Sequence, residues 1–210
     1  MLNDVAVVGD KLHGLIDESS RNLFIQFFML MRFLLPCIHC RTSYTQYTTE
    51  MPPTFPLIPW IYAIHNKVNK KLDKPIPFEE NIFRRRTIVY TSFGSTNNLY
   101  DILVILAFNH DKVEKIKPYQ LFMRHLKWVF PLLVKYKNYD PYLADLLTSY
   151  KPKYVTSRLP MLKWLTKYNP LELTYEQLIT TYGEVIAYKN KEEMEAVCGP
   201  LSIGEDPHFK

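Results

Sequence analysis

Between Leu23 and Leu35 the chain is apolar at every position except Gln26 and Arg32, and Pro36 closes the run. Phe24, Phe27, Phe28, Met31 and Leu35 recur at spacings of three and four, which predicts a helix with one deeply buried face. The run is too short and too interrupted to cross a bilayer, so that face must be covered by other elements of the chain. With only 6 glycines against 15 tyrosines and 12 phenylalanines, those elements are expected to be helices rather than a turn-rich sheet, giving an all-α fold. At 210 residues the chain can bury one good core or two small ones.

Proline is tolerated in a helix's first turn, so a second helix is expected to begin around Pro36 to Cys40. Thr48 to Pro59 holds four prolines and reads as a loop. Trp60 then opens a helix running to about Leu72, which Lys74-Pro75-Ile76-Pro77 stops, and Phe78-Glu79-Glu80 starts another. Beyond Gly94 we expect helices over Asn98–Asn109, Pro118–Val134, Met161–Tyr168 and Thr174–Tyr188, with Tyr139–Pro160 rich in loop. The tail from Cys198 reads as extended or disordered. The resulting division is 1–93, 94–197 and a tail at 198–210.

The net charge of +5 suits an anionic cofactor or partner but falls short of a nucleic-acid footprint. Residues 1–10 carry no positive n-region, so no secretory signal is expected. Two of the three cysteines form Cys37-Ile38-His39-Cys40. Such a pair can be half of a zinc site, a thioredoxin-like dithiol, or an inert buried pair. Zinc requires four ligands, and the remaining candidates, His39, His65 and Cys198, are not spaced as a partner pair, so no metal site is expected. Thioredoxin places a strand before its motif, whereas a helical pattern precedes this one. What remains is a dithiol on a helical scaffold. A cysteine in a helix's first turn faces unpaired N–H groups and the positive dipole end, and both favour thiolate; His39 and Arg41 add to that.

A second constellation lies on the helix opened by Trp60. Trp60, Ile61, Ile64, Val68 and Leu72 line its packed side, while His65 and Asn69, four apart, share another face. An imidazole and an amide side by side suit stacking on and hydrogen-bonding a planar ligand. Lys67, Lys70, Lys71 and Lys74 supply positive charge for a diphosphate. Alone, the helix reads more readily as a solvated basic surface with a satisfied histidine. There is also an internal echo: a shift of 95 positions lays Phe27 on Phe122, Pro36 on Pro131 and Tyr44 on Tyr139, while Cys37 and Cys40 fall on Leu132 and Lys135. Trp60 has a looser counterpart in Trp164.

Together, Pro-Cys-x-x-Cys and, 25 positions after Cys40, His65-Asn66-x-Val68-Asn69-x-x-Leu72-x-Lys74-Pro75 preceded by Trp60 resemble the signature of the Erv/ALR sulfhydryl oxidases. The resemblance covers about residues 10–90. Among the family's members it is most similar to the compact oxidases of large DNA viruses, African swine fever virus among them. It implies a four-helix bundle holding FAD, followed here by a second helical bundle similar to the redox-dead copy that some members carry beside the active one. It further implies that Cys40 lies nearest the flavin and Cys37 is attacked by incoming thiols. His65, Asn66 and Asn69 are expected at the adenine and ribose, Lys74 near the phosphates, and His13 and Trp60 also at the cofactor. Electrons would pass from a protein dithiol substrate, or from a separate thioredoxin-like C-x-x-C relay protein, to Cys37–Cys40, to FAD and to O2, releasing H2O2. A homodimer or an intramolecular pseudo-dimer is implied, and a place in the host cytoplasm or virion. The sequence departs from the family in lacking the first helix's tryptophans, with only Leu12-His13 to fill that role, and in lacking a second C-x-x-C. The missing tryptophans favour a rival reading, a non-catalytic structural or interaction protein on the same scaffold, such as a virion component; the intact Cys37–Cys40 pair and the complete His65–Asn69 helix argue against it.

Overall fold

The computed structural model describes residues 1–35, 38–73, 96–110, 115–139, 141–169 and 172–188. Among them it is helical throughout, with no strand, as the apolar periodicity led us to expect. The helices are α1 (Leu2–Leu12), α2 (Glu18–Leu34), α3 (Ile38–Glu50), α4 (Leu57–Lys71), α5 (Thr96–Phe108), α6 (Ile116–Lys137), α7 (Leu143–Ser149), α8 (Arg158–Thr166) and α9 (Tyr175–Tyr188), with a 3-10 turn at Pro152–Val155.

Local chemistry sets the helix boundaries. Asp17 caps α2 by accepting the backbone N–H of Ser20 at 2.7 Å, answering one of the donors that a helix start leaves unpaired. The cap for α4 comes from a distant helix. Both carboxylate oxygens of Asp10, near the end of α1, accept the backbone N–H groups of Leu57 and Ile58, the latter at 2.9 Å. Asp10's neighbour Gly9 permits this approach, since a Cβ there would lie 2.6 Å from Cδ1 of Leu57 and 3.2 Å from Cδ1 of Phe24. α1 therefore packs against α4 and α2, and α3 joins α2 to α4. Tyr44 of α3 donates its hydroxyl to the carbonyl of Phe28 at 3.0 Å, and the Nε of Arg32 donates to Thr48 Oγ1 at 3.0 Å.

The second half closes on the first through α6. One side of α6 lies on α1 and α2, and the other meets α7 and the 3-10 turn. Phe27 and Phe122 meet across the α2–α6 contact with ring centroids 5.6 Å apart and planes tilted by 33°, and Phe24 meets Trp128 edge-on at 5.1 Å. Fully burying a side chain of this size stabilises by about 1.5–3 kcal/mol. Tyr119 of α6 donates to the carbonyl of Leu106 on α5 at 2.6 Å, and α5, α8 and α9 pack on one another. A single apolar core thus runs through both halves. It is fastened at one corner by a buried polar cluster. Asp4 of α1 accepts the Tyr139 hydroxyl at 2.8 Å, and the Lys137 ammonium lies 3.8 Å from its other oxygen. Burial holds the Lys137 pKa below its ordinary value, and burial beside the Asp4 carboxylate pushes that of Tyr139 up.

Several boundaries differ from the sequence reading. α3 continues to Glu50 and α4 starts at Leu57, so the proline-rich loop is shorter than Thr48–Pro59. Pro59 fits inside α4 because a residue in the first turn has no intrahelical partner for an N–H. Tyr139–Pro160 contains α7, the 3-10 turn and the start of α8 rather than mostly loop. The helix expected over Pro118–Val134 is borne out and longer at both ends, with Pro131 inside α6 on the exposed side, where water can take up the carbonyl it leaves without a donor. Of the echoed residues, Phe27 and Phe122 meet each other, but the proline stop is not repeated at Pro131. The helix expected from Phe78 and the tail from Cys198 lie outside the described residues.

Removing the Asp10 carboxylate leaves two N–H groups at the start of α4 without their acceptor. Asp10→Ala is expected to lower stability by about 1–2 kcal/mol, and Asp10→Asn, which keeps one acceptor, by less. Urea denaturation midpoints at constant slope check this.

Candidate functional site

Cys40 is the third residue of α3 and is exposed. It sits where the helix's first N–H groups and dipole end favour a thiolate. The next residue, Arg41, turns back: its Nη1 donates to the carbonyl of Leu35, the residue closing α2, at 2.7 Å. The end of α2 and the start of α3 are therefore joined directly beside Cys40. His39 is partly exposed in the same turn. Cys37 lies outside the described residues, as does Lys74.

α4 carries the second group of candidates. Trp60, Ile61 and Ile64 are buried. Trp60 is committed to the core, with its indole N–H donated to the Met51 carbonyl at 3.0 Å and its ring edge-on to Phe28 at 5.0 Å. His65 lies on the exposed side of the helix, with Nε2 3.4 Å from Oδ1 of Asn3. Asn66 and Asn69 are partly exposed nearby. Displacement of water by the surrounding protein holds the His65 pKa below its ordinary value, so the ring is neutral at pH 7. Lys67 and Lys71 point to α3: Lys67 Nζ is 2.7 Å from Glu50 Oε2 and 5.4 Å from the Tyr47 ring centroid, and Lys71 Nζ is 2.6 Å from Ser43 Oγ. Lys70 is exposed at the helix end. Beside Lys67 and the Gln46 amide, the Glu50 carboxyl is held below its usual range.

His13 sits elsewhere. It follows α1 and stacks on Phe55 with centroids 4.7 Å apart. The Asp10 cap and the Asn3–His65 contact show that α1 and α4 run antiparallel, so His13 and His65 mark opposite ends of this helix pair. Ten residues of helix separate Asn3 from His13, roughly 15 Å at 1.5 Å per residue. The structure thus brings His65, Asn66 and Asn69 together on one helix and sets His13 apart. Sequence reasoning missed Asn3, Phe55 and Asp10. Only Asp10 carried a signal, a carboxylate between Gly9 and Lys11 in an otherwise apolar stretch.

The donor set on α4 fits a flavin dinucleotide: a neutral ring for stacking, two carboxamides for hydrogen bonds to a base or ribose, and an exposed ammonium for phosphate. Among the described residues no three His, Cys, Asp or Glu side chains gather as a metal site, and no helix is long and apolar enough to cross a membrane. A groove of about 220 Å³ between α2 and α6 is lined by Gln26, Leu30, Arg32, Phe33, Leu121 and His125, among others.

The lowered pKa of His65 makes a pH-dependent contribution. The unfolded state takes up its proton near the ordinary value of 6.5 and the folded state only at lower pH. Stability contributed by this group is therefore whole above 6.5 and declines as pH falls through the folded pKa. Between pH 7.5 and 5 the melting temperature of His65→Asn is expected to fall less than that of the wild type, a difference that thermal melts at matched pH resolve.

No curated protein and no solved structure matches the chain. One family model does, that of the Erv1/Alr family, over residues 14–87. The match covers about a third of the chain and takes in α2, α3 and α4, the helices that carry Cys40 and the His65 face. With the all-helical fold, it supports an Erv/ALR-type sulfhydryl oxidase family for this segment.

Proposed function

We propose that the protein is an FAD-linked thiol oxidase that forms disulfides in protein substrates, with Cys37 and Cys40 as its redox-active pair. The observation that carries this reading is Cys40 itself, exposed in the first turn of α3 with Arg41 holding the end of α2 beside it. An incoming substrate thiolate attacks Cys37 Sγ, the Cys37–Cys40 bond breaks, and Cys40 leaves as a thiolate stabilised by the helix's first N–H groups. The substrate's second thiol then attacks the substrate sulfur of the mixed disulfide, releasing the oxidised substrate and leaving Cys37 reduced. FAD, when bound, supplies the two-electron acceptor for the reduced pair and its reoxidation by O2 to H2O2. His65, Asn66 and Asn69 hold its adenine and ribose end and Lys74 its phosphates, with His13 at the far end of the α1–α4 pair. Trp60 contributes from inside the core by fixing the wall from which His65 projects.

The electron donor is a protein dithiol or a separate C-x-x-C relay protein, since the chain's third cysteine, Cys198, cannot form an intramolecular pair of its own to shuttle electrons. The second half, whose α6 covers α2, takes the place a partner subunit would fill, so the functional unit is a pseudo-dimer or a dimer of such units. A viral origin and a role in virion assembly rest on the likeness of the motif to the oxidases of large DNA viruses.

Purified protein is expected to show visible flavin absorbance. Cys40→Ser should keep that absorbance while oxygen consumption with a dithiol substrate drops to background. Oxygen uptake by this variant at the wild-type rate would rule out the assigned pair. His65→Ala is expected to lower FAD occupancy and, because a ligand that binds only the folded state stabilises it, to lower the melting temperature. A fully loaded and equally stable variant would remove His65 from the cofactor site.

A further inference from the structure

We propose that Arg41 is a positioning residue for the redox pair, acting through the backbone that precedes it; the inference rests on the thiol-oxidase reading above. Arg41 shares the first turn of α3 with Cys40. Its guanidinium donates at 2.7 Å, part-buried, to the carbonyl of Leu35, whose ψ of 129° shows that the chain has already left α2. One side chain therefore ties the two helices together across chain positions 36 and 37. The carbonyl of a residue that has just left a helix has no intrahelical donor, and a planar cation with several donors satisfies it. Further along, the Tyr44–Phe28 and Arg32–Thr48 hydrogen bonds hold the same two helices. Arg41 extends that seam to the cysteine end.

The thermodynamic consequence has a definite sign. Forming the Cys37–Cys40 bond removes two electrons and two protons from the dithiol and costs the chain the freedom of the segment between the sulfurs. A tether already present in the reduced form removes part of that freedom beforehand. It therefore favours the disulfide and holds its reduction potential down. A cation acting by charge alone has the opposite effect: it stabilises thiolate, hence the reduced form, and raises the potential.

The test uses the full chain with its cofactor, equilibrated in dithiothreitol or glutathione redox buffers, trapped by alkylation and read by mass. Arg41→Met removes the donors and the charge but keeps the stem. It is expected to weaken the disulfide about tenfold, raising the potential by about 30 mV for a two-electron couple. Arg41→Lys, which keeps the charge and a single donor group, should fall between Arg41→Met and wild type. A potential unchanged or lowered in Arg41→Met overturns the inference, even if the melting temperature drops, because a purely structural contact would move the melt alone. If Arg41→Met does not fold, Arg41→Lys decides by the same sign. A wild-type pair that forms no disulfide in any buffer overturns the thiol-oxidase reading itself and the inference with it.

Discussion

The carboxylate of Asp10 fixes how the first half of the molecule is put together. A helix start presents N–H groups that must find acceptors, and α4 has no local side-chain cap. By supplying both oxygens from α1, Asp10 sets the two helices antiparallel and in a single register. Gly9, one residue earlier, lets Leu57 and Phe24 approach as closely as that register requires. Everything along the α1–α4 pair follows from this pin: Asn3 reaches His65 at one end and His13 reaches Phe55 at the other. The side of α4 that carries His65, Asn66 and Asn69 is thus oriented by a helix that contributes few polar groups to it.

α6 plays the corresponding part for the molecule as a whole. It is long, apolar on the faces turned to α1, α2 and the 3-10 turn, and anchored at its end by the Asp4, Lys137 and Tyr139 cluster. A buried ion pair of this kind adds little net stability over an apolar contact, but removing one partner alone costs more than removing both. Its value is in pairing the start of α1 with one place on the second half. His125 shows the same economy: Nδ1 lies 2.7 Å from its own helix at Leu121 O, and Nε2 3.1 Å from the Gln26 amide on α2.

Much of this was legible in the sequence, for reasons that differ by element. The period of Phe24, Phe27, Phe28 and Met31 identified α2 because its face is buried as a continuous stripe. The spacing of His65 and Asn69 gave their common side because α4 is regular there. α1 was not read as a helix, although Val5, Ala6, Val8 and Leu12 form its buried side, because small residues give a faint pattern. Trp60 was assigned to the ligand from its motif, while the structure shows its one polar atom occupied by Met51. Asp10 stood out as a carboxylate, but what it caps could not be read: the cap joins residues 47 and 48 positions apart, and only the fold brings them together. Pro131 lies inside a helix, as the expected Pro118–Val134 span required, because an exposed site at which water replaces the lost donor allows the helix to continue.

The single core shared by the two halves has a bearing on synthesis. Asp4 and Tyr139 are 135 positions apart, and Gln26 and His125 are 99 apart. The apolar face of α2 therefore leaves the ribosome long before the helix that covers it, and local contacts alone cannot complete the fold. In that interval the nascent chain exposes the phenylalanines of α2 within a few residues of Cys37 and Cys40. A newly made chain of this design is at its most vulnerable to aggregation and stray cross-linking before α6 arrives, which makes the second half the timekeeper for the first.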